Sequence, residues 1–259
     1  MGKVIAVANQ KGGSGKTTTS RSLASALAER GRRVLLIDID PQGSLSEGCG
    51  LVLHQLEKTT YHVLLGAARL PEVIVGVEPN VDLAPANIHL CAAELQLVNS
   101  NRREDKLRNA LKPVKDHYDY ILMDCPPSFG LLTVNALSAA NSVLIPMTCD
   151  YYTMLGVKLM LDTIREIKAE VNSELVVEGI LPTRFDGRTL HSKEILEHTR
   201  TALGREFHVF DIVVRESVRF KESPISGKSI LHYAPSSDGA KAYRLLAKEI
   251  DNGQKSKRA

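Results

Sequence analysis

Val4-Ile5-Ala6-Val7-Ala8-Asn9-Gln10-Lys11-Gly12-Gly13-Ser14-Gly15-Lys16-Thr17-Thr18 is the stretch on which the reading of this chain turns. Val4–Ala8 is an apolar run that reads as a buried strand, and Thr17–Arg30 carries a helical pattern stopped by Gly31. The glycines between them let backbone N–H groups turn inward around an anion with no Cβ in the way. The helix that follows aims its unpaired N–H groups and the positive end of its dipole at the same place. Strand, glycine-rich loop and helix in that order make a phosphate cradle, whereas a merely flexible turn needs no such order. Lys16 is placed to reach β- and γ-phosphates, and the Thr17 hydroxyl to ligate Mg²⁺. The standard spacing asks for glycine five places before the Gly-Lys pair; Gln10 stands there, and an additional lysine, Lys11, opens the loop.

Working outward, apolar strand patterns (Arg33–Ile37, Asp119–Met123, Ser142–Pro146, Leu175–Leu181) alternate with helical ones (Leu131–Ala140, Thr153–Val171, Leu190–Leu203, Gly239–Ile250). This alternation predicts a single α/β domain over 1–252. Its core is a doubly wound, mostly parallel sheet of the P-loop NTPase type, and a basic tail without structure follows over 253–259. In such sheets ligands lie beyond the carboxyl ends of strands. Two of those ends carry acids: Asp38-Ile39-Asp40-Pro41-Gln42-Gly43 and Asp124-Cys125-Pro126-Pro127. An apolar strand ending in Asp places a carboxylate at a metal, usually through water; a helix or turn cap is the plainer role for either one alone.

The 259 residues are 43% apolar and 24% charged, enough for a full core, and the net charge of +3 does not by itself imply nucleic acid. No apolar run approaches the ~18–20 residues that span a bilayer, and no cleavable leader pattern opens the chain. Cys49, Cys91, Cys125 and Cys149 are scattered, with no C-x-x-C pair. They are expected reduced and mostly buried, and the chain is expected in the cytoplasm.

The loop Lys11–Thr18, the Asp38–Gly43 segment and Asp124-Cys125-Pro126-Pro127 resemble the deviant-Walker ATPases of the ParA/Soj group, relatives of MinD. Leu144-Ile145-Pro146 with Asp150-Tyr151-Tyr152, and Val218–Pro224 with Gly227-Lys228, agree with that group, so the resemblance runs from Lys3 to about Ile250. It implies a slow, partner-stimulated ATPase that uses ATP and Mg²⁺. Two copies enclose two ATP molecules, and Lys11 of each reaches the phosphates of the other. Asp40 positions the attacking water; Thr17, Asp38 and Asp124 serve the metal, with a hydrogen bond to Lys16 or a loop amide as the alternative for Asp38. Gly12, Gly13, Ser14, Gly15, Lys16, Thr17 and Thr18 hold the phosphates, and Arg184 and Arg215 lie near the base.

The resemblance further implies a dimer that binds DNA without sequence preference through Arg188, Arg219 and Lys228. That dimer sits on the nucleoid and answers to a centromere-binding or cargo-adaptor protein during chromosome or plasmid partition. Between Leu181 and Tyr233, nine Lys/Arg face seven Asp/Glu, an ordinary surface balance. Three other readings use the same fold: positioning of a protein cargo, a MinD-like ATPase that holds a membrane through a C-terminal amphipathic helix, and an iron–sulfur carrier. The apolar side of the last helix reads better as packing on the domain than as a membrane face. The chain departs from the group at Ser14, where valine is common, and at Arg215-Glu216-Ser217, where many members read Pro-Arg-Asn.

Overall fold

Side chains of the first strand, β1 (Lys3–Val7), alternate between two cores. Val4 and Ala6 belong to one cluster of buried residues, Ile5 and Val7 to another. That is the packing of a strand covered on both faces. The computed structural model describes residues 2–150 and 153–258, with side chains described as far as Gly253; Tyr151 and Tyr152 lie outside the described residues.

The elements that follow β1 are α1 (Lys16–Glu29), β2 (Val34–Asp38), α2 (Ser44–Gly48), α3 (Thr60–Leu64), β3 (Val75–Glu78) and β4 (Val81–Ala84). Next come α4 (Leu90–Leu97), α5 (Lys106–Leu111), β5 (Tyr120–Asp124), α6 (Leu131–Ala139), β6 (Ser142–Thr148) and α7 (Thr153–Glu170). The chain continues with β7 (Val176–Thr183), α8 (Leu190–Leu203), α9 (Arg219–Ile225), α10 (Ile230–Tyr233) and α11 (Asp238–Arg258).

The strands form one seven-stranded sheet in the order β3-β4-β2-β5-β1-β6-β7. Every neighbouring pair is parallel except the β3–β4 hairpin at one edge. Leu23 and Leu27 of α1 and Tyr243, Leu246 and Ile250 of α11 cover one face; Leu107, Leu132, Val157 and Met160 from α5, α6 and α7 cover the other. This is the expected doubly wound sheet. The buried Ala242, Tyr243, Leu246, Ala247 and Ile250 fix the apolar side of α11 on the domain.

Several expectations change in detail. The β3–β4 hairpin and α2 to α5 fall where the sequence suggested no element. The last helix runs on to Arg258 instead of ending near Ile250, taking in most of the stretch expected as a tail. Three of the four cysteines are buried, but Cys91 is exposed. For the site, the decisive fact is strand order. β2, β5 and β1 are neighbours, and the register sets Asp38 against Asp124 and Asp124 against Val7. The two acids and the start of the glycine loop therefore lie side by side at one edge of the sheet.

Candidate nucleotide site

The loop between β1 and α1 owes its shape to two glycines. Gly13 has φ +70° and Gly15, at the N-terminus of α1, has φ +88°, left-handed conformations that a side chain disfavours. Gly12 is different: a Cβ built there meets nothing within 4 Å. Ser14 between them is buried; its carbonyl accepts a hydrogen bond from Thr183 Oγ1 at 2.8 Å, which ties the loop to the end of β7. The departure from valine at Ser14 leaves its Oγ buried and without a partner among the described residues.

Lys16 lies under the loop, only 7% exposed, and Nζ donates to the Lys11 carbonyl at 3.2 Å. Burial lowers its pKa, against the raising influence of Asp124, Cys125 and Asp40. The ammonium is thus held among acids at the strand ends.

Asp38 and Asp124 are both fully buried, yet they do different things. Asp38 Oδ1 accepts from the Asp40 amide at 3.1 Å, and Oδ2 from the Ser46 amide at 2.9 Å and the Ser46 hydroxyl at 2.7 Å. Of the roles open to it from the sequence, the loop-amide role is the one this geometry carries. Both oxygens fasten the Asp40–Ser46 segment, and Ser46 Oγ in turn accepts from the Ala86 amide at 2.9 Å. Burial raises the Asp38 pKa to about 6 even so.

Asp124 is the acid with capacity to spare. The Ser20 hydroxyl donates to its Oδ1 at 3.1 Å, while Oδ2 is buried with no hydrogen-bond partner among the described residues. Burial, then the charge of Asp38, pushes its pKa up to about 8, against the Thr17 hydroxyl and Lys16. A buried carboxylate oxygen without a donor, beside the Thr17 hydroxyl, fits a hydrated divalent cation. Thr17, and Asp124 through water, are the residues that would hold it.

Asp40 is half-buried and lines a cavity of about 380 Å³ together with Gly12, Gly13, Gly15, Lys16, Thr17 and Thr18. The opposite wall brings in Thr183, Arg184, Arg215, Glu216, Phe220 and Tyr243. Arg184 (φ +51°) is held over the loop by Glu216 at 2.9 Å and by the Gly13 carbonyl at 3.3 Å. The structure thus gathers the expected phosphate loop, Asp40, Arg184 and Arg215 around one cavity, and adds Phe220 and Tyr243. Phe220 lies between two cations in Arg219-Phe220-Lys221; an aromatic ring inside a basic run was the signal available for it.

Lys11 does not point into this cavity. Its Nζ forms an ion pair with Asp150 and lies 3.3 Å from Thr148 Oγ1, at the end of β6. Burial raises the Asp150 pKa, and hydrogen bonds from Lys11, Thr153 and Thr148 more than offset this, so the carboxylate is held below its ordinary value. The three expected DNA contacts stand at different places along the chain's elements. Arg188 precedes α8 and is paired with Asp186 at 2.8 Å; Arg219 opens α9 and lies 3.2 Å from Glu222; Lys228 is exposed between α9 and α10.

Fold and site together define a P-loop nucleoside triphosphatase. The AAA_31 family model, an AAA domain, matches residues 2–177, and the chain belongs to that family. The sporulation initiation inhibitor protein Soj of Bacillus subtilis is 44% identical over 96% of this chain and 98% of its own length. The chromosome partitioning protein ParA of Myxococcus xanthus is 42% identical over 96% of the chain and 88% of its own length. These relatives make the chain a ParA/Soj-type ATPase of the MinD/ParA superfamily. Among solved structures, a protein described as cobyrinic acid a,c-diamide synthase from Mycobacterium smegmatis, with bound ADP and magnesium, superposes with a TM-score of 0.88. It is 38% identical, over 99% of this chain and 96% of that one. The Pyrococcus furiosus cell division ATPase MinD gives a TM-score of 0.79 at 26% identity, over 97% and 99% of the two chains. No helix among the described residues is long and apolar enough to cross a membrane.

Proposed function

We propose that this chain is a partition ATPase. It binds Mg-ATP, pairs with a second copy across two nucleotides, and in that state holds duplex DNA of any sequence. A centromere-binding or cargo-adaptor protein speeds a slow hydrolysis that ends the cycle. The observation that carries the reading is the convergence of the phosphate loop, Lys16 and Asp40 on one cavity, in a chain whose relatives include Soj and ParA proteins.

The roles follow from placement. Lys16 meets the β- and γ-phosphates, and the amides of Gly13 to Thr18 surround them. Magnesium, when bound, supplies charge neutralisation between phosphate oxygens. Asp40 orients the attacking water; its Oδ1 already accepts from the Gln42 amide at 2.9 Å, which fixes the carboxylate's direction. Arg215, exposed at the opposite wall, is free to stack on a purine. To act across a dimer, Lys11 must leave Asp150 for the other copy's phosphates, a more negative partner. Gly12 faces open space, as a residue at a copy-to-copy contact must. Gly12→Val is therefore expected to fold normally and fail to dimerise with ATP, and Lys11→Ala likewise. The buried apolar side of α11 speaks against a membrane-binding helix, and buried Cys125 against an iron–sulfur carrier.

The test is a DNA titration at several salt concentrations, using Asp40→Ala to hold the ATP-bound dimer. Affinity for any duplex is expected to fall steeply with salt. Arg219→Glu is expected to lower the log–log slope by about 0.9 for its lost phosphate contact, with Arg188→Glu and Lys228→Glu read the same way. A dimer that ignores DNA at low salt and binds anionic vesicles would establish the membrane reading instead. One that binds neither would be a switch for a protein partner alone.

A further inference from the structure

Behind the nucleotide site, on the face covered by α1, lies a buried ionic cluster that the proposed chemistry does not use. Arg21 follows Thr17 by one helical turn on α1 and is 7% exposed. Its guanidinium reaches three separate parts of the chain. One nitrogen donates to Cys49 Sγ, just past α2; another donates to the Gly227 carbonyl at 3.0 Å, in the turn between α9 and α10. That second nitrogen also lies 3.9 Å from Glu78 Oε2 on the edge strand β3. Glu78 Oε2 is in turn 3.4 Å from His232 Nδ1 on α10.

Two nucleotide-facing elements meet at this cluster, α1 in its second turn and the Asp40 segment at its end. α1 begins at the phosphate loop. The segment that carries Asp40 runs into α2, which Asp38 fastens through Ser46, and its end is Cys49-Gly50. On the far side, Gly227 rests against Gly50: a Cβ at Gly227 would lie 3.2 Å from Gly50 Cα, and both glycines have positive φ (+65° and +87°). The turn that precedes Lys228 is thus seated directly on the end of the Asp40 segment.

The cluster is also incompletely closed. Arg21 Nε and Glu78 Oε1 are both buried without a hydrogen-bond partner among the described residues, while Arg21 Nη2 and Glu78 Oε2 stand 3.9 Å apart. A small displacement of α1 against β3 would bring the two into direct hydrogen bonding, and a buried pair strongly favours that closure. A closed position of this kind would give the nucleotide loop at the head of α1 an equilibrium to bias.

We propose that Arg21 is a positioning residue that transmits the state of the nucleotide loop to the Arg219–Tyr233 segment, so that the cations of that segment answer to ATP. As a route to DNA control this rests on the partition reading above; as a mechanical coupling it does not.

Hydrogen–deuterium exchange on the full-length protein, with and without saturating Mg-ATP, separates the two. In the wild type, Mg-ATP is expected to slow exchange both in 38–50 and in 219–233. Arg21→Met keeps the length and burial of the side chain but removes its donors. It is expected to keep ATP affinity within about twofold and the protection of 38–50, and to lose the protection of 219–233, with ATP-dependent DNA affinity falling about tenfold, a size usual for coupled sites. Arg21→Lys, which keeps the charge without the fork, is expected to restore part of the coupling and serves as the reading if Arg21→Met fails to fold. Protection of 219–233 that survives in folded Arg21→Met, that is undiminished from wild type in Arg21→Lys, or that is missing from the wild type, overturns the proposal. Protection that behaves as expected in a protein that binds no duplex DNA leaves Arg21 its role and overturns the DNA reading alone.

Discussion

Three buried aspartates stand at opposite ends of the parallel strands, one at the strand starts and two at the strand ends. At the strand-start edge, Asp251 of α11 is 2% exposed and meets Arg30 at 2.9 Å, Arg32 at 2.9 Å and the Tyr120 hydroxyl at 3.2 Å. Burial pushes its pKa up, but the hydrogen bonds from Arg32 and Arg30 outweigh it, and the carboxylate is held below its ordinary value. At the strand-end edge, Asp38 and Asp124 are in register on adjacent strands with no arginine between them, and burial raises both, to about 6 and about 8. The outcomes are opposite because Asp251 is less deeply placed and has two arginines as partners, whereas Asp38 and Asp124 lie deeper and have none. The first edge is saturated and holds α11 to α1 and the sheet; the second is left short of positive charge, which is what a site for a metal and a lysine-bound phosphate requires.

The contrast can be broken by substitution, and the largest expected effect lies at the saturated edge. Asp251→Asn leaves Arg30 and Arg32 without their carboxylate and is expected to cost about 3 kcal/mol of stability at pH 7, by denaturant unfolding, with nucleotide affinity unchanged. A group with a depressed folded pKa contributes stability above its unfolded value that is lost on acidification. Wild type should therefore lose more stability than Asp251→Asn as the pH falls below about 4. Equal acid sensitivity would mean that the clamp is not ionic.

Lys16→Ala acts at the other edge and should show the reverse pattern. Removing the cation from the phosphates is expected to weaken Mg-ATP binding by about a hundredfold in calorimetry, with the unfolding midpoint unchanged. Unchanged affinity would remove the site assignment.

A smaller effect is expected from Asp124→Asn, measured in EDTA without nucleotide. The raised folded pKa means that stability from this group is present at low pH and lost as pH rises through about 8. The asparagine variant should then be more stable than wild type at pH 9, on the order of 1 kcal/mol, and near it at pH 5. A variant less stable at both values would show Asp124 to be a structural acid like Asp251.

Ser14→Ala, which deletes a buried hydroxyl without a partner, should raise stability by about 0.5–1 kcal/mol in the nucleotide-free protein, read from the melting temperature. A fall would reveal a hydrogen bond for this hydroxyl.

Much of this was written in local sequence. The phosphate loop is legible because its chemistry is contiguous: a strand, glycines where φ must be positive, and a helix N-terminus all lie within Val4–Thr18. Phe220 and Tyr243 were not read as cavity residues, because only folding brings α9 and α11 to the loop. The β3–β4 hairpin was missed because its strands are four residues each and β3 is only partly buried, so its alternation of Val and polar residues is weak. The Pro79-Asn80 turn, with Asn80 at φ +64°, was the one clear mark of it.

Sequence by itself determined the sheet class, the phosphate cradle and the strand-end placement of Asp38, Asp40 and Asp124, since each follows from residues close together in the chain. Tertiary structure alone decided which acid does what. Asp38 binds Ser46, Asp124 keeps an oxygen unbonded beside Thr17, and Lys11 meets an aspartate 139 positions away. Charge state and hydrogen-bond partnership depend on distances of a few ångströms between segments far apart in the chain, and the order of strands β2, β5 and β1 is what sets those distances.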